Sequence, residues 1–375
     1  MLSIVILLRL DHYLLGAISK NEKNVTESIS NCNPSSLFLR GVEDTEIINV
    51  VNKFENKSST DCSNLNMRLV KEIINHIVTP LTYICNLSFC TGVFPSKMKT
   101  AKVIPIYKNG SKHLFKNYRP ISLLSQFSKI LEKLFVTRFD GFVKFNLLNE
   151  QQFGFRSNRS TLMAVMALTE DITTAVEEKK YTLGVFIDLS KAFDVMGHTL
   201  LQKLQRYGIR GTAYAWVASY LRERDQYVHI NNVDSRKEFI THGVPQGSTF
   251  GPKLFTMYIN DVCAVLDKVN CLLYADDTSL YCSGDDLNKL VDLVEKELAV
   301  LKGWFDGNKI SMNMTKTKYI MYGNRKITNE IIIKINGIVI EQVHTYTFLG
   351  ITIDEKLSWK PHIDYIKLKI SKKKK

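Results

Sequence analysis

The 375-residue sequence reads as an α+β protein, because short apolar runs of strand length are interleaved with amphipathic helices and sharp turns. Leu287, Leu290, Val291, Val294, Leu298, Leu301 and Phe305 recur at the helical period of about 3.6 residues, and Gly307 stands where a stop is expected. Residues 183–187, 271–274 and 278–282 are instead continuous apolar stretches of strand length. The last two flank only Ala275, Asp276 and Asp277, the pattern of a β-hairpin.

From the amino terminus, residues 1–8 are apolar, but Arg9 and Asp11 end the run far short of the roughly 20 residues that span a bilayer. With no basic leader and no clear small-residue cleavage site, it also makes a poor signal peptide. Residues 21–36 are polar and rich in Asn and Ser, so residues 1–36 are expected to be a ragged, flexible lead-in. A helix is expected over 42–54 and a loop over 56–61. Leu69, Ile73, Ile74, Ile77, Leu81 and Ile84 then share one helical face, with Pro80 expected to kink or split the element. Residues 128–142 and 160–178 are further amphipathic helices. These apolar stripes are core and carry no chemistry. No internal repeat is visible.

The chemistry concentrates in Tyr274-Ala275-Asp276-Asp277. Two carboxylates on one tight turn repel each other, and a divalent cation with its preference for hard oxygen ligands removes the conflict. Alone, Asp-Asp is equally ordinary turn chemistry. A third carboxylate, Asp188, ends the apolar run 183–187, and beside an Asp-Asp hairpin it would complete a cradle for two metal ions. Between these pieces, residues 243–248 (Gly-Val-Pro-Gln-Gly-Ser) break regular structure just before an apolar helical run. Glycine there lets another backbone or a flat ligand approach closely.

Lys and Arg number 50 against 37 Asp and Glu, a net charge of +13 that suits a polyanionic partner. The terminal residues 372–375 contribute four lysines that read equally as a solvated tail. Seven cysteines form no CxxC pair, which argues for free thiols in a reducing compartment and against a zinc site or disulfide frame. A cytoplasmic or nuclear location is expected, and the sequons at Asn24, Asn56, Asn86 and Asn313 then carry no meaning.

Together these residues resemble the reverse transcriptases of non-LTR retrotransposons, most of all the jockey-type elements. Asp188 with Phe193 is similar to the family's first catalytic motif, residues 243–255 to its second, and residues 274–277 to its third. Residues 103–108 and 117–124 resemble the fingers segment, and Gln151-Gln152-Phe153-Gly154 with Ser160-Thr161 the next block. Residues 304–317 resemble the block after the hairpin, and residues 346–359 the stretch that closes the palm. Group II intron maturases and telomerase fit less well at residues 117–120 and 348–350.

The resemblance implies a right-hand polymerase core, with fingers and an antiparallel palm sheet packed by helices. It divides the chain into a helical extension (37–99), a reverse transcriptase domain (100–355) and the start of a thumb (356–375), with the thumb mostly missing and the chain truncated at both ends. It implies that Asp188, Asp276 and Asp277 hold two Mg2+ ions, with Mn2+ as an alternative, to extend a DNA primer on an RNA template with dNTPs. Lys108 and Arg119 would hold the triphosphate, and Gln246 and Gly247 would line the nascent base pair. Phe193 would exclude a ribose 2′-hydroxyl unless it is ordinary core, and Lys316 would protonate the pyrophosphate unless it is a solvated lysine. Asp194 reads as structural. No membrane association and no protein partner follow. Gly197 precedes His198 where the family carries Asp or Asn, and Phe250 and Lys253 stand at positions that are normally leucine. Lys253 is expected to be an unpaired ammonium at a buried helix start, which would be costly. The alternative function is therefore a catalytically impaired remnant that at most binds nucleic acid.

Overall fold

The computed structural model describes residues 32–143, 147–190, 196, 198–323, 325 and 331–373. The chain forms two compact units that interleave in sequence, residues 1–148 with 193–258 and residues 149–192 with 259–375.

The first unit begins with α1 (Asp44–Lys53) and α2 (Met67–Thr91). Asn66 caps α2 by accepting the Leu69 N–H, and Gly92 ends it at φ 68°. The helix runs unbroken through Pro80, so of the two expected outcomes it is not split. Pro80 and His76 are both exposed, so water can satisfy the His76 carbonyl that loses its N–H partner. The buried stripe is also turned from the expected one. It runs through Met67, Val70, Ile74, Val78, Leu81, Cys85 and Phe89, while Leu69 and Ile84 are exposed. By length and composition α2 could cross a membrane. Here its buried Phe89 packs edge-on against Phe135 and Trp216.

A sheet follows, in which β1 (Ala101–Tyr107) pairs antiparallel with β2 (Tyr118–Leu124) and parallel with β5 (Arg224–Ile230). The short strands β6 (Val233–Asp234) and β7 (Glu238–Ile240) also pair with β5. The helices α3 (Gln126–Val143), α5 (His198–Arg206), α6 (Gly211–Leu221) and α7 (Gly251–Tyr258) complete the unit. Its core is aromatic: Trp216 lies flat on Phe135 at 4.1 Å, and Phe250 meets Phe135 and Phe139 at 4.8 and 5.4 Å. Phe250 thus sits inside a packed aromatic cluster. Lys253 is not unpaired, since its ammonium lies 2.9 Å from Asp140 Oδ1. The polar lead-in is docked from Asn33 onward, where the Asn33 N–H donates to the Arg206 carbonyl and Arg210 donates to that of Asn33.

The second unit is built on a six-stranded sheet in the order β12 (Ile333–Ile335), β13 (Ile338–Gln342), β11 (Lys318–Tyr322), β3 (Tyr181–Ile187), β9 (Asp277–Gly284) and β8 (Asn270–Tyr274). All neighbours are antiparallel except β11 and β13, so the expected antiparallel sheet forms with one parallel pair in it. The helix α4 (Thr161–Glu177), capped by Ser160, packs Ala164, Leu168 and Ile172 on Phe186, Tyr281 and Ile320. Leu183, Val185 and Leu280, one pleat away, lie with Val294 of α8 (Leu287–Gly307), which Asp286 caps. A two-stranded pair, β4 (Leu189–Ser190) with β10 (Ser311–Met312), extends β3. The hairpin β14 (Thr345–Phe348) and β15 (Ile351–Asp354) adds Phe348 and Ile353 to the α4 cluster, and α9 (Lys360–Lys373) follows. All seven cysteines are free thiols.

Candidate active site

In the second unit, Tyr274 of β8 pairs with Asp277 of β9, leaving Ala275 and Asp276 as a two-residue turn. Ala275 sits at φ 56°, the left-handed conformation such turns need at their first position. A side-chain-bearing residue is held there by a brace from the segment before α4. The Gln152 side-chain oxygen accepts the N–H groups of Ala275 (3.2 Å) and Gly154 (2.7 Å). The Phe153 N–H donates to the Leu273 carbonyl, and the Leu273 N–H donates to that of Gln151. A Cβ at Gly154 would lie 2.2 Å from the Ala275 nitrogen, so only glycine permits this approach.

The central strand β3 supplies the third carboxylate. Ile187 pairs with Thr278, so the chain delivers Asp188 opposite Asp277. The electrostatics register this convergence. Burial, then Asp276, then Asp188 push the Asp277 carboxyl up to about 6. Asp277 retains an exposed flank, so water screens part of that field. Burial, then Asp277 and Asp188, push the Tyr346 phenol up to about 12, and its ring stacks on Phe186 at 4.3 Å. Lys316 Nζ lies 3.2 Å from Asp188 Oδ2. Among the described residues, no three His, Cys, Asp or Glu side chains are gathered closely enough to hold a metal ion. The carboxylates are therefore coupled but not collapsed onto one point.

The first unit holds the other expected contacts. Arg119 of β2 pairs with Ile106, and the Lys108 N–H donates to the Asn117 carbonyl. That register puts the exposed Lys108 and Arg119 on one face of the β1–β2 hairpin. The same strand carries the loop before α7, since the Ser122 N–H donates to the Gln246 carbonyl at 2.7 Å. Gly247 is at φ 129°, and a Cβ there would lie 2.5 Å from the Ser122 carbonyl oxygen. Phe193, Asp194 and Gly197 lie outside the described residues.

Three residues that the sequence did not single out organise these sites. Glu132 of α3 is fully buried; one carboxylate oxygen accepts the Thr249 and Phe250 N–H groups at 2.7 and 3.2 Å, and the other accepts the Ser128 hydroxyl at 2.9 Å. Burial raises its proton affinity, against the Arg224 guanidinium and those hydrogen bonds. The available signal was the spacing Ser128, Glu132, Phe135, Phe139, an acid inside the apolar stripe of a helix. Gln152 and Tyr346 fell inside recognised blocks, but nothing in sequence marked which side chains brace the turn or face the carboxylates.

A family model described as reverse transcriptase (RNA-dependent DNA polymerase) matches residues 106–353. The probable RNA-directed DNA polymerase from transposon BS of Drosophila melanogaster is 29% identical over 366 residues, covering 95% of this chain and 40% of that protein. The RNA-directed DNA polymerase from mobile element jockey of the same species is 29% identical over 360 residues, covering 92% and 38%. That of transposon X-element, also from this fly, is 25% identical over 341 residues, covering 88% and 37%. The chain thus spans 40% or less of the length of these curated relatives. Matched along two thirds of its own length by the family model and along most of it by these proteins, the chain belongs to the reverse transcriptase (RNA-dependent DNA polymerase) family, among the enzymes of non-LTR retrotransposons.

Proposed function

We propose that this chain extends a DNA primer on an RNA template with dNTPs, and that Asp188, Asp276 and Asp277 are the ligands of Mg2+, with Mn2+ suited to the same donors. The observation that carries the reading is the register Ile187 to Thr278, which sets Asp188 opposite Asp277 at the turn that also bears Asp276. The donors suit a hard divalent cation, because all are carboxylates, and burial followed by the charges of Asp276 and Asp188 raises the proton affinity of Asp277. When bound, a pair of such ions supplies charge stabilisation to the attacking and leaving oxygens of an in-line displacement.

The remaining roles belong to the chain's own side chains. Arg119, with its forked guanidinium, and Lys108, on the same hairpin face, bind the triphosphate oxygens. Gln246 and Gly247 line the base pair being formed, the absence of a side chain at 247 letting the loop close on the Ser122 carbonyl and so fixing where Gln246 stands. Phe193 blocks a ribose 2′-hydroxyl and so selects dNTPs. Lys316 donates a proton to the departing pyrophosphate. The net charge of +13 favours a polyanionic template and primer.

One observation favours a second reading, in which the chain binds nucleic acid without copying it: the three carboxylates are not drawn within chelating reach. Extension of a DNA primer on an RNA template in Mg2+ separates the two. We expect extension that falls about a hundredfold or more in Asp276→Asn, with primer–template binding retained. Binding without extension by the parent chain selects the second reading, and an Asp276→Asn protein that extends at the parent rate removes the assignment of the acids.

A further inference from the structure

The geometry points to Lys316 as a built-in counter-cation for Asp188, one that occupies the carboxylate in the metal-free protein and must give way to a divalent ion. Its consequence is that Lys316 lowers the affinity of the site for that ion. The inference rests on the reading of Asp188, Asp276 and Asp277 as metal ligands.

The contact is constructed by the backbone around it. β10 pairs with β4 through Ser311 with Ser190 and Met312 with Leu189, directly after Asp188. The Asn313 N–H then donates to the Asp188 carbonyl at 2.8 Å, and the Asn313 carbonyl accepts the N–H groups of Lys316 and Thr317 at 3.1 and 2.9 Å. The Thr317 hydroxyl donates to the same carbonyl, and the Thr315 hydroxyl to the Asn313 side chain. This turn, fastened to the residue it serves, brings Lys316 Nζ to Asp188 Oδ2. The cation two residues on is engaged elsewhere, because Lys318 bonds Glu341 and the Thr315 carbonyl.

The charge balance gives the contact its meaning. Three carboxylates meet at one end of the sheet, and the Lys316 ammonium offsets part of their charge at Asp188. A hard cation needs that same oxygen, so ammonium and divalent ion compete for it. The Lys316 side chain is 61% exposed, so it can leave for water at little cost. An exposed pair of this kind is weak, which limits the competition to about two- to fivefold in affinity.

The test is Mn2+ binding to the full 375-residue chain, without nucleotide or primer, read from the EPR signal of free Mn2+ at pH 8, with thermal midpoints confirming that each variant is folded. Lys316→Gln is expected to tighten Mn2+ binding about two- to fivefold, Lys316→Arg to leave it within about twofold, and Asp188→Asn to weaken it tenfold or more. Lys318→Gln, which removes a charge that does not touch Asp188, is expected to change it less than Lys316→Gln does. Unchanged or weaker binding by Lys316→Gln, or an equal gain from Lys318→Gln, overturns the competition while leaving the metal site standing, provided Asp188→Asn loses affinity. If Asp188→Asn binds as the parent does, the metal reading itself fails and the competition with it.

Discussion

The Gln246–Gly247 loop and the Asp276–Asp277 turn are both held by a side-chain carbonyl or carboxylate from a distant part of the sequence, yet they end in opposite electrostatic states. At the loop, Glu132 accepts two backbone N–H groups and a hydroxyl beside the buried Arg224 guanidinium. The Glu132 carboxylate there finds its hydrogen-bond donors and an opposite charge within the protein, although Arg224 Nε and Nη2 have no hydrogen-bond acceptor among the described residues. At the turn, Gln152 fixes the backbone, but the carboxylates it presents crowd one another at Asp277, and Lys316 stands against Asp188. A region that satisfies itself contributes stability. A region whose backbone is braced while its carboxylates crowd one another is where the proposed cation would bind.

The largest expected effect tests the satisfied side. Glu132→Ala leaves two helix-start N–H groups without their acceptor and a buried guanidinium without the carboxylate charge near it, and should cost about 3–5 kcal/mol in urea unfolding. Glu132→Gln, which keeps an accepting oxygen, should cost clearly less. Next come the two close-approach glycines. Gly247→Ala and Gly154→Ala each drive a Cβ into backbone, and each should cost about 1–3 kcal/mol by the same measurement. If either is neutral, the loop or the turn is less tightly fastened than its hydrogen bonds indicate.

Acidity probes the unsatisfied side. Asp277 is raised from an ordinary 3.8 to about 6, so the native state holds a proton that the unfolded chain has released. Stability from this group is therefore present at low pH and lost as pH rises from about 4 through 6. Metal-free protein moved from pH 5 to 7 should lose on the order of 1 kcal/mol after allowance for screening. Asp277→Asn should flatten that share of the profile, leaving the share of Glu132, which has the same sign. The smallest effect belongs to Lys253→Leu. The Lys253–Asp140 pair is partly exposed, so unfolding should shift by less than about 1 kcal/mol. A larger loss would mean that this ion pair is part of the loop's support.

Much of this could be read from the chain alone. The acid hairpin, the strand before Asp188 and α8 followed from local signals: continuous apolar runs, a turn between them, and an unbroken helical period with a cap. Other features depend on partners far along the sequence. Glu132 meets Thr249 across 117 positions and Gln152 meets Ala275 across 123, and neither pairing leaves a local mark. The same applies to Lys253, which looks unpaired until Asp140 is brought beside it. In α2 two apolar faces overlap, and which one is buried depends on the aromatic core it meets rather than on its own periodicity. Pro80 disfavours a helix interior by its own preference, but the buried stripe on both sides of it holds the helix continuous.

The most direct test of the central contrast is the thermal midpoint of the 375-residue chain as Mg2+ is added at pH 7.5, for the parent and for Asp277→Asn. Asp277→Asn should melt at or above the parent without metal, because one repelling charge is gone, and Mg2+ should raise the parent by a few degrees while moving the variant little. Equal shifts in both proteins, or none in the parent at millimolar Mg2+, would contradict the claim that these carboxylates await a divalent cation.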